Sequence, residues 1–294
     1  MQYMAINLNL ERPLIMGIIN LDSASFSSTG RCESLDDVLE TVERYQAEGV
    51  DIIDIGAEPT NPPLAKRNTK AQSTYASDEL SRLLPIVERV RAVCDVPISI
   101  DTSDPKVMQA VIELGVNIIN DVRAFEKPGA MDVVAQSDVT LCLMHMLQHN
   151  VQEPVNKPYD ETTVVDFVYA YLESRIKACL DAGIPRRRLI ADPGFGGGAF
   201  GKNLAENAAL IHGLSRMKGL NLPLLVGLSH KTMIHEALGL PVNERVMPSV
   251  ALAVMAIERG ANIVRVHDVL ATRRAIDMAY AILSSGTSCY DGTT

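Results

Sequence analysis

Eight short, almost wholly apolar runs rich in Ile, Val and Leu recur along the chain: PLIMGIIN (13–20), VDIIDIG (50–56), VPISID (96–101), VNIIND (116–121), VTLCLMH (139–145), RLIAD (188–192), LPLLVG (222–227) and NIVRVHD (262–268). Runs this short with little polar alternation are the pattern of strands buried on both faces. Helical patterns lie between them. Segment 78–94 repeats Leu80, Leu83, Leu84, Val87, Val90 and Val93 near a 3.6-residue period, and 104–115 opens on Asp104–Pro105 and closes at Gly115. Those are helix start and stop signals. Segments 160–182 and 203–218 show ordinary amphipathic spacing. Gly49, Gly115, Gly183 and Gly260 each fall where a helix should end in a left-handed residue before the next strand begins. Regular alternation of strand and helix predicts a parallel sheet. With eight units and no Pro/Ser-rich linker, the expectation is α/β, a single (β/α)8 TIM barrel over residues 1–294 with the barrel proper at about 13–284. An open, doubly wound sheet is the alternative.

Composition removes several classes of function. Asp and Glu number 36 against 27 Lys and Arg, for a formal charge of −9, whereas a nucleic-acid backbone binder needs a basic face. Aromatic residues make up only 4% of the chain and Trp is absent, so aliphatic side chains must build the core. The five cysteines are scattered and form no C-x-x-C pair, which argues against a disulfide framework or a zinc site. No run reaches the 18 to 20 apolar residues or so that a membrane span needs, and the first 20 residues carry no secretory pattern. A reducing, cytoplasmic setting is the expectation.

In a barrel of this kind the active site lies at the strand C-termini. The connections there are long and polar: 21–31, 57–77 and 146–159, the expected covers of a catalytic opening. Every apolar run also ends on polar residues: Asn20, Asp54 with Glu58, Asp101, Asn120 and Asp121, His145, Asp192, Ser229 to Lys231, and Arg265 to Asp268. Any one of them is as well explained by the need to end a strand; recurrence after every run favours one shared rim. Carboxylates with Asn20 and Asn120 suit the edge of a flat, amide-like heterocycle, while Lys231, Arg265 and His267 suit an anion such as phosphate. GGGAFGK (196–202) matches the spacing of a nucleotide-binding P-loop, but Asn203 replaces the Ser or Thr that would hold Mg²⁺. Glycines that let a planar ligand approach the backbone are the better account. His149, His212 and His235 fall in loop or helix patterns and read as surface or packing residues, and most of the 12 methionines read as core filling.

The ordered blocks MGIIN, DIGAEPTNP, ISIDTSDP, IINDVRA, LCLMHM, DPGFGGGAFGKN, LPLLVGLSHKTMI and IVRVHDV make the chain, from about Met16 to Ile282, resemble the dihydropteroate synthases of bacterial folate biosynthesis. That resemblance implies a (β/α)8 barrel, usually a homodimer, which joins 4-aminobenzoate to (7,8-dihydropterin-6-yl)methyl diphosphate with Mg²⁺ as cofactor. By similarity Asp101, Asn120, Asp192 and Lys231 line the pterin pocket, with Met144 and Phe195 as apolar walls. Asn20 is the implied metal ligand. Thr60, Arg265 and His267 take the diphosphate, and Phe26, Ser229 and Lys231 border the aminobenzoate site. Asp101, Asp192, Lys231 and Arg265 form the catalytic set on this reading.

Departures from the family pattern fall on the loops. Asp22, Ser23 and Ala24 stand in place of T-P-D, and Ser28 and Thr29 in place of a second D-G; Pro59, Thr60 and Asn61 stand in place of S-T-R. His230 occupies the Arg position of S-R-K-S, and the glycine block carries extra residues before Gly201. These changes motivate a rival reading, a pterin-binding, synthase-like paralogue with weak or no condensation activity.

Overall fold

The architecture is given by a computed structural model, which describes residues 10–21, 34–56, 72–147 and 157–285. Eight strands, β1 (Leu14–Asn20), β2 (Ile52–Gly56), β3 (Ile98–Asp101), β4 (Ile118–Asp121), β5 (Thr140–Met144), β6 (Leu189–Asp192), β7 (Leu225–Val226) and β8 (Ile263–Val266), pair in the order β6-β5-β4-β3-β2-β1-β8-β7. All the pairings are parallel. The ring is closed between β6 and β7 by one parallel bridge, Ala191 to Leu224, with Ala191 N donating to Pro223 O at 2.9 Å. The helices are α1 (Leu35–Ala47), α2 (Gln72–Val93), α3 (Pro105–Glu113), α4 (Ala130–Ala135), α5 (Val164–Asp181), α6 (Leu204–His212), α7 (Thr232–Leu238), α8 (Val246–Glu258) and α9 (Val269–Ser285). This is the (β/α)8 barrel that the strand pattern predicts.

Strand alternation divides the aliphatic residues into two cores. Leu14, Met16, Ile52, Ile118, Cys142, Ile190, Leu225 and Ile263 fill the lower barrel interior. Their strand neighbours, such as Ile15, Ile53, Ile119, Leu141 and Val264, face outward and pack with helix residues including Val42, Val87, Val111 and Leu172. The barrel is therefore plugged below mainly by apolar side chains, although Asp54, Ser99 and Thr140 share the row of Ile118, and the remaining inward polar groups lie towards the strand C-termini.

Local chemistry sets the helix ends. Ser34 and Asp37 form a capping box before α1, Asp104 accepts from Lys106 N at the start of α3, and Asn203 and Glu206 form a second capping box before α6. Gly49, Gly115, Gly183 and Gly260 all have φ between +79° and +106°, as helix-ending glycines should. The amphipathic segment read over 203–218 is not one helix. Helix α6 stops at His212, and a 3-10 segment runs from Leu214 to Leu220. Gly213 stands at the break, where a Cβ would lie 2.7 Å from Val165 of α5, so close contact between the helices accompanies the change of direction.

Among the described residues no helix is long and apolar enough to cross a membrane. Phe26 and Thr60, with most of the polar segments they belong to, lie outside the described residues.

Gly17 faces out of β1 beneath Tyr45 of α1, and a Cβ there would come within 2.7 Å of the ring. The Tyr45 hydroxyl also donates to His267 O at 2.8 Å, so the ring cannot move away freely. Gly17→Ala should therefore cost about 1–3 kcal/mol in urea unfolding through overpacking; a loss below about 0.5 kcal/mol would show that α1 yields instead.

Candidate active site

Strand register places the acidic and amide groups side by side. Asn20 pairs with Gly56, Gly56 with Asp101, and Asp101 with Asn120, one row across β1 to β4. Gly56 keeps the row open, since a Cβ there would sit 3.3 Å from the Asp101 Cβ. Further round the barrel Met144 pairs with Asp192. Asp101, Asn120, Met144 and Asp192 are all buried, and the backbone N–H of Gly194 donates to Asp192 Oδ1 at 2.8 Å.

Arg265 enters this arc from β8. Its Nε donates to Asp54 Oδ2 at 2.7 Å and its Nη2 to Asp101 Oδ2 at 2.9 Å, with Nη2 also 2.6 Å from Asp54 Oδ2. Asp54 is fully buried. Burial alone would lower the Arg265 pKa; Asp54 and Asp101 outweigh it, so the guanidinium is held charged. Lys231, the residue before α7, places Nζ 4.0 Å from the Phe200 ring centroid. Burial, with Arg265 alongside, brings its pKa down to about 8. Burial also raises the Asp192 pKa to about 6, against the opposing pull of the Gly194 N–H, Lys231 and Arg265. Asp101, Asp192, Lys231 and Arg265 thus share one electrostatic neighbourhood.

His267 differs from its expected role as a cation. Burial, then the neighbouring His230, Arg265 and Lys231, lower its pKa to about 3, so the ring is neutral at ordinary pH. It pairs through Nδ1 with Ser229 Oγ at 2.9 Å. It can donate or accept a hydrogen bond towards an anion, but it brings no charge.

Two polar residues at strand ends do not join the rim. Asp121 follows Asn120 and therefore faces outward: its oxygens take the N–H groups of Arg123 at 2.9 Å and Phe125 at 2.7 Å, and it also accepts from Ser103. It anchors a turn in which Ala124 and Phe125 both have positive φ. His145 follows Met144 and likewise faces outward, among Tyr159, Phe167 and Tyr171. The P-loop reading also fails. Residues 198–200 form a 3-10 turn, and Lys202 is buried, with Nζ 2.9 Å from His145 Nδ1 and 3.3 Å from Phe200 O, so it presents no ammonium to a loop-bound phosphate.

Comparison with known proteins shows the family. The family described as pterin binding enzyme matches residues 16–267. A dihydropteroate synthase of Haemophilus influenzae is 41% identical over 265 residues, covering 90% of this chain and 92% of the relative. The structure of a dihydropteroate synthase from Coxiella burnetii in complex with pteroic acid superimposes with a TM-score of 0.84 at 37% identity, covering 94% of this chain and 95% of that one. Xanthomonas albilineans dihydropteroate synthase with 4-aminobenzoic acid gives a TM-score of 0.81 at 40% identity, with 94% of each chain covered. The chain belongs to the pterin-binding enzyme family and, within it, to the dihydropteroate synthases.

Within this family reading, Phe195 and Phe200 occupy different surroundings. Phe195 is buried in the outer core with the helices, whereas Phe200 joins Val122, Met144 and Met146 in a separate apolar cluster beneath Lys231. The aromatic side chain that meets Met144 is thus Phe200, which sequence reasoning passed over. Asp54 was visible at the end of its run, but only the Arg265 contact reveals its part in the site. Asn20 closes β1, half-buried.

Because Arg265 is shared by two buried acids, its removal takes a charged partner from both Asp54 and Asp101. Arg265→Ala should cost about 3–5 kcal/mol in denaturant unfolding; a loss below about 1 kcal/mol would mean that the acids find water or protons instead.

Proposed function

We propose that this barrel condenses 4-aminobenzoate with (7,8-dihydropterin-6-yl)methyl diphosphate, giving 7,8-dihydropteroate and diphosphate. The observation that supports the reading is that Asp101, Asn120 and Asp192 share the upper barrel interior with Lys231, Arg265 and His267. Pteroic acid and 4-aminobenzoic acid bound to relatives support it.

The charges suit the bond changes. The methylene–oxygen bond breaks as the aniline nitrogen bonds to the methylene carbon and then loses a proton, while the electron pair leaves on diphosphate. Positive charge that develops over the pterin is favoured by the fixed acids, and negative charge on the leaving group by Lys231 and Arg265. Asp101, Asp192 and Asn120 hold the ring through its polar edge, Met144 and Phe200 form an apolar wall, and Ser229 and Lys231 border the amine. Phe26 and Thr60 are assigned by resemblance alone, to the aminobenzoate and diphosphate sides.

Mg²⁺ is part of the proposal. Among the described residues no cluster of three or more His, Cys, Asp or Glu could cage an ion. Asn20 offers one amide oxygen, which fits an ion that keeps most of its waters and takes its other ligands from substrate phosphates. Bound there, Mg²⁺ would neutralise charge on the departing diphosphate. A homodimer is also proposed. Helix α8 has no charged residue from Val246 to Ile257 and leaves Met247 73% exposed, a surface suited to a second copy.

Release of diphosphate from the two substrates in the presence of Mg²⁺ is the direct test. Tight pterin binding without release at any Mg²⁺ concentration would favour the binding-only paralogue. Asp101→Asn should reduce kcat/KM at least about tenfold, because an acceptor-only group becomes partly a donor; unchanged kinetics would remove Asp101 from the site.

A pH dependence follows from Asp192. With its folded pKa near 6, above the ordinary carboxylate value, the folded chain holds a proton there that an unfolded chain has already lost. This group therefore favours the fold on the acid side, and the contribution is lost as pH rises through 6. Pterin binding runs the other way, since it uses the ionised acceptor. Affinity for 6-hydroxymethylpterin should fall about fivefold from pH 6 to pH 5, and Asp192→Asn should abolish that slope. A flat profile in the unaltered protein would exclude Asp192 as the acceptor.

A further inference from the structure

His230 lies between two residues of the site, Ser229 and Lys231, in a backbone conformation with φ +55° that side-chain-bearing residues seldom adopt. Contacts from several directions hold it there. Its N–H donates to Ser249 Oγ of α8 at 3.0 Å, and its carbonyl accepts from Arg245 Nη1 at 2.9 Å. The ring is almost fully buried and reaches two oxygens: Nδ1 is 3.0 Å from Val242 O, and Nε2 is 2.7 Å from Asp268 Oδ2.

Those two oxygens decide the protonation state. A peptide carbonyl and a carboxylate can only accept, so both ring nitrogens must carry hydrogen. Neither neutral tautomer meets that requirement; the imidazolium does.

We infer that His230 is a positioning residue that acts as a fixed imidazolium, clamping the turn before α7 to Val242 and to Asp268 at the start of α9, and thereby setting Ser229, Lys231 and His267 for the reaction. The inference rests on the synthase reading above. Its reach to the site is direct on two sides. Ser229 and Lys231 are its chain neighbours, and the His267 ring meets it edge-on at 5.1 Å and 74° while bonded to Ser229 Oγ. The charged and titratable groups around it are Asp268 and His267 after β8, Arg245 before α8, and Lys231. Of these Asp268 alone supplies negative charge, and Arg245 meets the His230 carbonyl rather than the ring.

The test uses the full chain with ¹⁵N-labelled histidine. Long-range ¹⁵N–¹H correlation, assigned by the signals lost in His230→Gln, should show both His230 ring nitrogens protonated at pH 7; a singly protonated ring overturns the inference. In kinetics, His230→Gln should lose about tenfold or more in kcat/KM for the pterin diphosphate while 6-hydroxymethylpterin binds within about twofold, and His230→Arg, which keeps a charged donor, should restore most of the loss. A His230→Gln enzyme with unchanged kcat/KM overturns the role. Absence of turnover in the unaltered protein sinks the synthase assignment, while the ring spectra judge His230 alone.

Discussion

The upper interior of the barrel is organised around one guanidinium between two buried acids. Asp54 and Asp101 come from adjacent strands, and Arg265 reaches both from β8, on the other side of β1. In a water-poor interior each of these charges would be costly alone, so the contact ties β2, β3 and β8 to one another above the apolar plug. The polar groups of the upper interior lie around this triad: the Asn20–Gly56–Asp101–Asn120 row on one side, and Lys231 with the Ser229–His267 pair on the other.

Burial acts unequally on the groups around that centre. Arg265 stays charged because its acids outweigh desolvation, whereas Asp192 and Lys231 are both pushed towards neutrality by burial. His267 is pushed so far that it is neutral throughout the working range. The opening thus has one permanent cation and two groups whose charge responds to what is bound. A pterin that hydrogen-bonds Asp192 and a diphosphate beside Lys231 would each favour the charged form of its partner.

Most of the fold was legible because it rests on period and local chemistry: short apolar runs, capping residues and glycines with positive φ. The inward polar cluster was legible at Asp101, Asn120, Asp192 and Arg265, which lie at the ends of their runs on the inward parity, while Lys231 follows β7 through a turn. Asp121 and His145 show where that reading stops. Each lies one residue past an inward side chain, and in a strand one residue reverses the face; no property of Asp or His in the sequence reveals that parity. Phe200 escaped notice because the 3-10 turn over residues 198–200 brings it under Lys231, while Lys202 matched a phosphate-loop spacing and proved to be a buried partner of His145. In both cases turn geometry decides the role, and spacing alone does not encode it.

The ring of strands is not uniform in strength. β1 and β2 share a register of five residue pairs, whereas β6 and β7 meet at a single bridge. A closed hoop with one weak joint changes its girth there first. Asp192 hangs from one side of that joint, and Ser229 and Lys231 from the other, so a slight widening would part the acid from the base while the Arg265 triad stayed whole.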